Sequence, residues 1–319
     1  MRVLITGING FVGGHLTEYL ISKKGVEIHG LGRSVSKRET TPTRARGITV
    51  HLCDICDPKA VSKVFRQVKP DRIFHLAAQS FVPFSWVSPK ETLNVNIMGQ
   101  LNILEVLRQG KDHPMIHVAG SSEAYGRVFP GEIPIRETNG LRPLSPYGVS
   151  KAAQDLLAYQ YHQSFRLPIV LTRAFSHTGP GQSDRFVASN FAKQVALIEA
   201  GRCKPMIYVG NLESIRDFTD VRDIVKAYWL ALEKCKKGEV YNICSGVGRK
   251  IGDILDFYLK HGKVEIKVKR DKTRMRPLDV PILIGDAAKF KKQTHWEPVI
   301  PFEKTLADLL DYWRHHIAK

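Results

Sequence analysis

Short apolar runs alternate with longer amphipathic stretches along the first half of the chain. Val3–Thr6 is typical of a buried strand, and after a glycine-rich turn a helical pattern runs through Leu16, Tyr19 and Leu20. Strand-like runs recur at 26–31, 48–52, 73–77, 116–119 and 169–172, and helical patterns cover 92–108 and 147–165. Repeated strand–helix units predict an α/β fold with a Rossmann-like, doubly wound parallel sheet.

The pattern changes after Arg173. A loop with glycine and proline at 178–181 is followed by shorter elements and an amphipathic helix from about residue 303 to 317. We expect a nucleotide-binding domain over 1–173 and a smaller C-terminal α/β part over 174–319 that mainly binds substrate, with some of its segments returning to the first domain. No Pro/Ser-rich linker separates the two, so we expect a cleft between them.

Hydrophobic content and charge indicate which class of protein this is. The 319 residues include 43% hydrophobic residues, which is enough for a packed core, and 48 Lys+Arg against 31 Asp+Glu give a formal charge of +17. The cations are dispersed, so we expect a few of them to serve a phosphorylated substrate and expect no nucleic-acid partner. A non-catalytic nucleotide- or nucleic-acid-binding protein is the remote alternative. No stretch approaches the roughly 20 apolar residues of a membrane span.

The cysteines indicate a reducing compartment. There are five, an odd number, and only Cys53 and Cys56 lie close together in sequence, as a C-x-x-C that lacks a second pair for zinc and a helix start for redox chemistry. We therefore expect no metal and a cytoplasmic location.

Glycines 7, 10 and 13 lie between the first predicted strand and helix. This G-x-x-G-x-x-G spacing allows a tight turn and brings backbone N–H groups close to a pyrophosphate. NAD sites usually have an acidic residue after the second strand, whereas Arg33 and Ser34 here suit a 2′-phosphate. We expect NADP(H), with NAD(H) as the alternative if Asp54 makes the adenosine-side contact. The cofactor residues expected here are Gly7, Asn9, Gly10, Phe11, Val12, Gly13, Arg33, Ser34 and Asp54.

Tyr147 and Lys151 lie one helical turn apart in the pattern at 147–165. A nearby ammonium favours a phenolate, and a cationic nicotinamide would add to the effect, so we expect the pKa of Tyr147 to fall from about 10 toward neutrality. Such a tyrosine can exchange protons during hydride transfer.

Five motifs then occur in order: His-Leu-Ala-Ala-Gln-Ser at 75–80, Asn-Ile-Met-Gly at 96–99, Gly-Ser-Ser-Glu-Ala-Tyr-Gly at 120–126, Ser-Pro-Tyr-Gly-Val-Ser-Lys at 145–151 and Gly-Pro-Gly at 179–181. Together they resemble the extended short-chain dehydrogenase/reductase family over nearly the whole chain. The resemblance implies that Tyr147 is the acid/base, that Lys151 holds the nicotinamide ribose, and that Ser121 hydrogen-bonds the C4 oxygen of a sugar. It also implies cofactor contacts from Ile55, Leu76, Ala77, Ala78 and Asn96, together with Tyr147 and Lys151.

Within that family, the segments at 173–182, 210–218 and 275–280 resemble enzymes of GDP-deoxyhexose synthesis. Reductases of GDP-4-keto-6-deoxy-D-mannose make GDP-D-rhamnose, and GDP-mannose 4,6-dehydratases make the keto sugar that the reductases consume. Glu123 matches the base of a dehydratase. Ser121 in place of threonine, the Gly10–Gly13 loop and the single Arg33 resemble the reductase, which we expect, with the dehydratase as the alternative.

The resemblance also implies a GDP-sugar substrate and a homodimer formed by the helices at 92–108 and 147–165. Lys193, Arg216 and Arg276 match positions that bind the GDP moiety, and Ser176 replaces the family asparagine. The residues expected to contact substrate are Ser80, Ser121, Ser122, Glu123, Ser176, Lys193, Arg216, Arg276 and Asp279.

Overall fold

The parallel sheet predicted from the sequence is present. The computed structural model describes residues 1–33, 47–275 and 280–318. Among these residues, seven parallel strands pair in the order β3-β2-β1-β4-β5-β6-β10. They are β1 (Arg2–Thr6), β2 (Glu27–Gly32), β3 (Ile48–Leu52), β4 (Arg72–His75), β5 (Met115–Ser121), β6 (Ile169–Ala174) and β10 (Val240–Ile243). The strands predicted in the first half are confirmed to within two residues at each end.

The strand order reverses between β1 and β4, because the chain runs outward from β1 to β3 and then returns to continue from β4. A crevice at the carboxyl ends of the strands is expected at such a switch point, and this is where ligands of doubly wound folds bind. The elements after these two strands, the glycine loop and the segment from Leu76 onward, therefore face each other.

Helices cover both faces of the sheet. Helices α1 (Phe11–Ile21) and α8 (Val221–Lys234) pack on one face, and α2 (Pro58–Val68), α5 (Gly99–Gln109) and α6 (Pro146–Phe165) pack on the other. Each face has a continuous apolar core, which includes Phe74 and Trp229 on the first and Ile116 and Tyr161 on the second. Because α8 and β10 come from the second half of the chain, that half contributes to the large sheet and to its covering layer. The boundary at residue 173 stays a prediction.

The helix predicted over 92–108 is interrupted. The chain forms two short helices, α3 (Val82–Val87) and α4 (Pro89–Leu93), and then a π-helical turn over Asn94–Met98 before α5 begins. The widened turn lets Asn96 point inward, where it is fully buried. The helix predicted over 147–165 is confirmed as α6.

Most of the remaining elements build the second part. Helices α7 (Val187–Glu199), α9 (Ile251–His261) and α11 (Phe302–Ala318) share a core that includes Phe191, Tyr258 and Leu309. Strand β9 (Ile215–Asp220) pairs with β7 (Ser176–Thr178), β11 (Gly248–Lys250) and β13 (Ile282–Leu283), and β8 (Met206–Val209) pairs with β12 (Lys267–Arg270). Helix α10 (Ala288–Thr294) lies against β10. The amphipathic helix predicted near the end of the chain is confirmed as α11. In the described ranges, no helix has both the length and the apolarity to cross a bilayer.

Candidate active site

A cleft of about 1150 Å³ opens at the carboxyl ends of β1, β4, β5 and β6 and is lined by both parts of the chain. Nearly all of the described residues that we expected to form the site line it. On the cofactor side these are Gly7, Asn9, Gly10, Phe11, Val12, Gly13, Arg33, Asp54, Ile55, Leu76, Ala77 and Ala78; on the substrate side they are Ser80, Ser121, Ser122, Glu123, Tyr147, Lys151, Ser176 and Arg216. Ser34, Arg276 and Asp279 lie outside the described residues.

The glycine loop is shaped for a close ligand. Gly7 has φ +74°, and a Cβ there would lie 2.9 Å from the Ala77 nitrogen. A Cβ on Gly13 would lie 2.3 Å from the Gly7 carbonyl oxygen, so this position allows α1 to approach the loop. Helix α1 begins after Gly10 with no side-chain cap and no acidic residue in its first turn. The first N–H groups of the helix are thus available to an anion such as a pyrophosphate, and the loop fits a dinucleotide.

The segment after β6, at residues 177–180, contacts the start of α1 next to the glycine loop. His15 Nε2 lies 2.8 Å from the Pro180 carbonyl oxygen, and the rings of Phe11 and His177 are parallel with centroids 6.4 Å apart. The link joins α1 to the segment after β6, and Phe11 and His177 both line the cleft. Sequence reasoning singled out neither histidine, since their pairing across the fold has no local signal.

Arg33 and Asp54 both lie at the end of the cleft beside β2 and β3, and both line it. Asp54 Oδ1 accepts a hydrogen bond of 2.9 Å from the Cys56 backbone N–H, which turns the chain toward α2. Cys56 is a free thiol, as is Cys53. Arg33, which we expected to suit NADP(H), and Asp54, the expected alternative contact for NAD(H), therefore face the same space.

The expected catalytic groups meet at the floor of the cleft. Ser121 is the last residue of β5, and its hydroxyl accepts a 3.2 Å hydrogen bond from the Glu123 backbone N–H. Tyr147 and Lys151 come from the first turns of α6, where Ser145 caps the helix by accepting from the Gly148 N–H at 3.0 Å. This cap fixes the start of the helix and so sets both side chains relative to β5. The three expected groups are thus brought together.

The pKa of Tyr147 moves in the opposite direction to our prediction. We expected Lys151 to lower it, but burial raises the pKa of Tyr147 well above its ordinary value, a hydrogen bond with Ser121 opposes the rise, and the charge of Glu123 adds to it. Burial is the largest cause of the shift, and the Lys151 ammonium lies 5.8 Å from the ring centroid and donates to the Ala119 carbonyl oxygen at 2.9 Å. The groups of this chain therefore keep the phenol protonated at neutral pH.

Lys151 is itself affected by burial. Loss of solvation lowers the pKa of Lys151 to about 8, and the negative charge of Asp155 opposes this shift. Asp155 lies one turn further along α6, and its Oδ2 accepts a 2.5 Å hydrogen bond from Arg173 Nε. Arg173 also donates to the Tyr125 hydroxyl at 2.9 Å. Helix α6 is thus joined to β6 by a buried carboxylate–guanidinium pair.

Asn96 is not among the residues that line the cleft, and its predicted cofactor contact stays a prediction. Its Oδ1 accepts from the Gln79 N–H at 2.8 Å, and its Nδ2 donates to the Gln79 carbonyl oxygen at 3.0 Å and to Ser150 Oγ at 2.8 Å. The amide therefore joins the segment after β4 to α6. Asn96 thereby positions Gln79, which lines the cleft.

Lys193 is also not in the cleft. Its Nζ forms a 2.7 Å ion pair with Asp184 and lies 5.2 Å from the centroid of the Trp313 ring. Arg216, in contrast, lines the cleft while only 8% exposed, and its Nη1 donates to the Ile215 carbonyl oxygen at 2.9 Å. We expected both Lys193 and Arg216 to contact a diphosphate. Arg216 lines the cleft, whereas Lys193 is not among the lining residues.

Several lining residues were missed from the sequence. Arg185 lies over the Phe81 ring at 5.9 Å, and Phe81 and Phe186 meet edge to face, so aromatic side chains from both parts of the chain meet at the cleft. Arg274 donates to Asn190 Oδ1 at 3.0 Å, and both of these residues line the second part's side. Phe81 meets Arg185 and Phe186 only through the contact between the two parts, and Arg274 meets Asn190 only once the second part has folded, so no local pattern indicates either contact.

Comparisons with known proteins agree with this geometry. The family model described as GDP-mannose 4,6 dehydratase matches residues 4–309. GDP-6-deoxy-D-mannose reductase of Pseudomonas aeruginosa is 31% identical over 319 residues, which cover 100% of this chain and 99% of the relative. GDP-mannose 4,6-dehydratase of Yersinia enterocolitica is 30% identical over 348 residues, which cover 97% of this chain and 92% of the relative.

Solved structures show the same architecture. The structure of RMD from Pseudomonas aeruginosa complexed with NADPH has a TM-score of 0.85 at 30% identity and covers 99% of each chain. UDP-glucose 4-epimerase of Thermus thermophilus in complex with NAD has a TM-score of 0.88 at 30% identity, covering 98% of this chain and 99% of the other.

Proposed function

The chain belongs to the GDP-mannose 4,6-dehydratase family, within the extended short-chain dehydrogenase/reductases, and we propose that it is an NADPH-dependent reductase that converts the C4 ketone of GDP-4-keto-6-deoxy-D-mannose to GDP-D-rhamnose. The observation that carries the proposal is the single cleft in which the glycine loop, Ser121, Tyr147, Lys151 and Arg216 meet. The match to the reductase of Pseudomonas aeruginosa along essentially the full length of both chains favours reduction over dehydration.

The cleft contains the groups that reduction of a sugar ketone requires. Bound NADPH supplies a hydride to C4. Tyr147 donates its phenolic proton to the C4 oxygen, and its raised pKa keeps it in the protonated form that can donate. The Ser121 hydroxyl hydrogen-bonds the phenol and would donate to the same oxygen as negative charge develops. The carbonyl thereby gains one hydride and one proton and becomes an alcohol.

Groups on either side would hold the two nucleotides. The uncapped start of α1 and the glycine loop fit the pyrophosphate of the cofactor, and Arg33 beside β2 favours the 2′-phosphate of NADP(H) over NAD(H). On the second part's side, the Arg216 guanidinium suits the diphosphate of a GDP-sugar, because its planar fork can bind two oxygens at once.

Glu123 supports a second candidate function, the 4,6-dehydratase. Glu123 lines the cleft, as Tyr147 does, and its negative charge raises the pKa of the Tyr147 phenol. In a dehydratase, bound NADP would hold the C4 hydride and return it to C6, while Tyr147 would take the proton of the C4 hydroxyl. Glu123 would pass the C5 proton to the C6 hydroxyl, which would leave as water, and a proton would return to C5. No net cofactor is consumed by that sequence, so the two functions differ in what a carboxylate at residue 123 must do.

A pair of variants tests the proposal. Tyr147→Phe should reduce turnover of the keto sugar with NADPH by about 10²- to 10⁴-fold, because the proton donor is lost. Tyr159→Phe is the matched control, since Tyr159 is an exposed tyrosine on the same helix, and it should keep the parent rate. Glu123→Gln should keep ketone reduction near the parent rate. Turnover of GDP-mannose by the parent that is lost in Glu123→Gln, with NADPH binding retained, would favour the dehydratase, and a fully active Tyr147→Phe would overturn both functions.

A further inference from the structure

Strands β8 and β12 form a two-stranded parallel ribbon at the surface of the second part. All four residues of β12 are exposed, whereas β8 buries Ile207 and Val209 against the core. The outer strand and the turn after it contain the cations Lys267, Lys269, Arg270 and Lys272, which we call the basic ribbon. The ribbon thus presents positive charge to solvent on an edge anchored to a rigid core.

The basic ribbon leads directly into the cleft. Tyr208 and Gly210, at the end of β8, line the cleft, and so do Thr273 and Arg274, which follow β12. Arg274 is held there by its 3.0 Å hydrogen bond to Asn190 on α7. Like Arg216, these residues belong to the second part of the chain, whereas the glycine loop belongs to the first. An anion that approaches along the ribbon therefore reaches the second part's side of the cleft first.

The cations of this segment outnumber its carboxylates, and Arg270 also lies near enough to Glu213 to interact with its charge. Residues 260–275 contain seven Lys and Arg but only two carboxylates, Glu265 and Asp271. Asp271 is engaged by the backbone N–H and the hydroxyl of Thr273 at 2.9 Å and 2.7 Å and by Arg274 at 3.5 Å. Within the part of the chain that the structure describes, Lys267 and Lys269 form no ion pair. Their field therefore extends into solvent beside the cleft.

We propose that the basic ribbon is an electrostatic guide that attracts the diphosphate of the nucleotide sugar to the second part's side of the cleft. The inference rests on the proposed function for the identity of the anion. Clustered charge of one sign beside a cleft raises the association rate of an oppositely charged ligand and has its largest effect at low ionic strength. The ribbon lies outside the cleft, so its charges should act on association and leave dissociation of the bound nucleotide nearly unchanged.

The association rate of a fluorescent N-methylanthraniloyl derivative of GDP, measured by stopped flow over a range of ionic strengths, tests the guide. The test variant is Lys267→Glu with Lys269→Glu. The matched control is Lys63→Glu with Arg66→Glu on α2, which makes the same charge change on the first part, away from the ribbon. Association of NADPH is measured in parallel. Because none of the four side chains belongs to the packed core, neither double variant disturbs it.

At low ionic strength the ribbon variant should bind the GDP derivative about three- to tenfold more slowly than the parent, with a shallower dependence on salt, while its NADPH association changes less. The control should keep the parent rate and salt dependence for the GDP derivative. Equal salt dependence in the parent and the ribbon variant, or an equal loss in the control, would overturn the guide and leave the proposed function standing. A parent protein that binds NADPH but not the GDP derivative would overturn the proposed substrate class, and the guide with it.

Discussion

Lys151 is a buried cation whose charge depends on its neighbours. Its ammonium donates to one backbone carbonyl oxygen, and Asp155 is the carboxylate that opposes its loss of charge. His75 and His117 also lie close enough to interact with Lys151, but burial lowers the pKa of each to about 3, so both stay neutral. Besides joining α6 to β6 through Arg173, Asp155 therefore raises the pH at which the buried lysine loses its proton.

The pH dependence of kcat/KM should show this role. Lys151 is charged below its lowered pKa of about 8 and becomes neutral as the pH rises through that value, so the parent should lose activity on the alkaline side. Asp155→Asn removes the favourable charge, lowers the pKa of Lys151 further, and should move the alkaline limb down by about one pH unit. Since kcat/KM reports the free enzyme, the shift should appear there.

Two further variants separate this effect from a loss of folding. Asp155→Asn combined with Arg173→Met removes both charges and avoids leaving the arginine without its carboxylate in the core. Glu199→Gln breaks a comparable pair with Arg314 in the second part and should leave the pH profile unchanged. An alkaline limb that stays in place in folded Asp155 variants would show that Asp155 does not act on Lys151.

At the scale of elements, the sheet and its crossovers could be predicted because each buried strand and each amphipathic helix has a local period. That period predicted the strands of the first half, and it also predicted α6 and α11. The π-helical turn at Asn94–Met98 could not, because it depends on the partners that Asn96 finds on Gln79 and Ser150, far away in sequence. The ion pair of Lys193 with Asp184 could not be predicted for a related reason, since it forms only once α7 is docked.

The tight junction of β1, the glycine loop and α1 gives an element-scale prediction. Gly13→Ala places a methyl group 2.3 Å from the Gly7 carbonyl oxygen, and the backbone there has no flexible side chain that could move away. We expect a loss of about 1–3 kcal/mol in the free energy of unfolding, as for an overpacked core, together with weaker NADPH binding.

Thermal unfolding and NADPH fluorescence titration measure the two effects. Gly131→Ala is the control, because a Cβ there meets no atom within 4 Å. A Gly13→Ala protein with the parent's melting temperature and NADPH affinity would contradict the role assigned to this junction.

At the scale of the whole molecule, an apolar stripe on α6 remains exposed. Val149, Leu156 and Tyr159 lie on one face of the helix and are 45%, 63% and 60% exposed. Contiguous exposed apolar surface often marks an interface, and the homodimer expected from the sequence would cover this stripe. The oligomeric state stays a proposal.

Sedimentation of the parent and a variant tests the dimer. Leu156→Glu with Tyr159→Glu places two charges on the stripe and should convert a dimer to a monomer of 36.0 kDa. Val247→Glu changes an exposed valine elsewhere in the molecule and should leave the dimer intact. A parent that sediments as a monomer, or a dimer that survives both charges on α6, would exclude this helix face as the interface.

The central claim is that the cleft reduces a C4 ketone on a GDP-sugar. The most direct measurement is to incubate the purified protein with GDP-4-keto-6-deoxy-D-mannose and NADPH, and in parallel with GDP-mannose and NADP, while following the absorbance of the reduced cofactor and identifying the sugar products. We predict loss of NADPH in equal amount to GDP-D-rhamnose formed in the first reaction and no product in the second. Formation of the keto sugar from GDP-mannose, with no net change in NADPH, would contradict the reductase and identify the protein as a dehydratase.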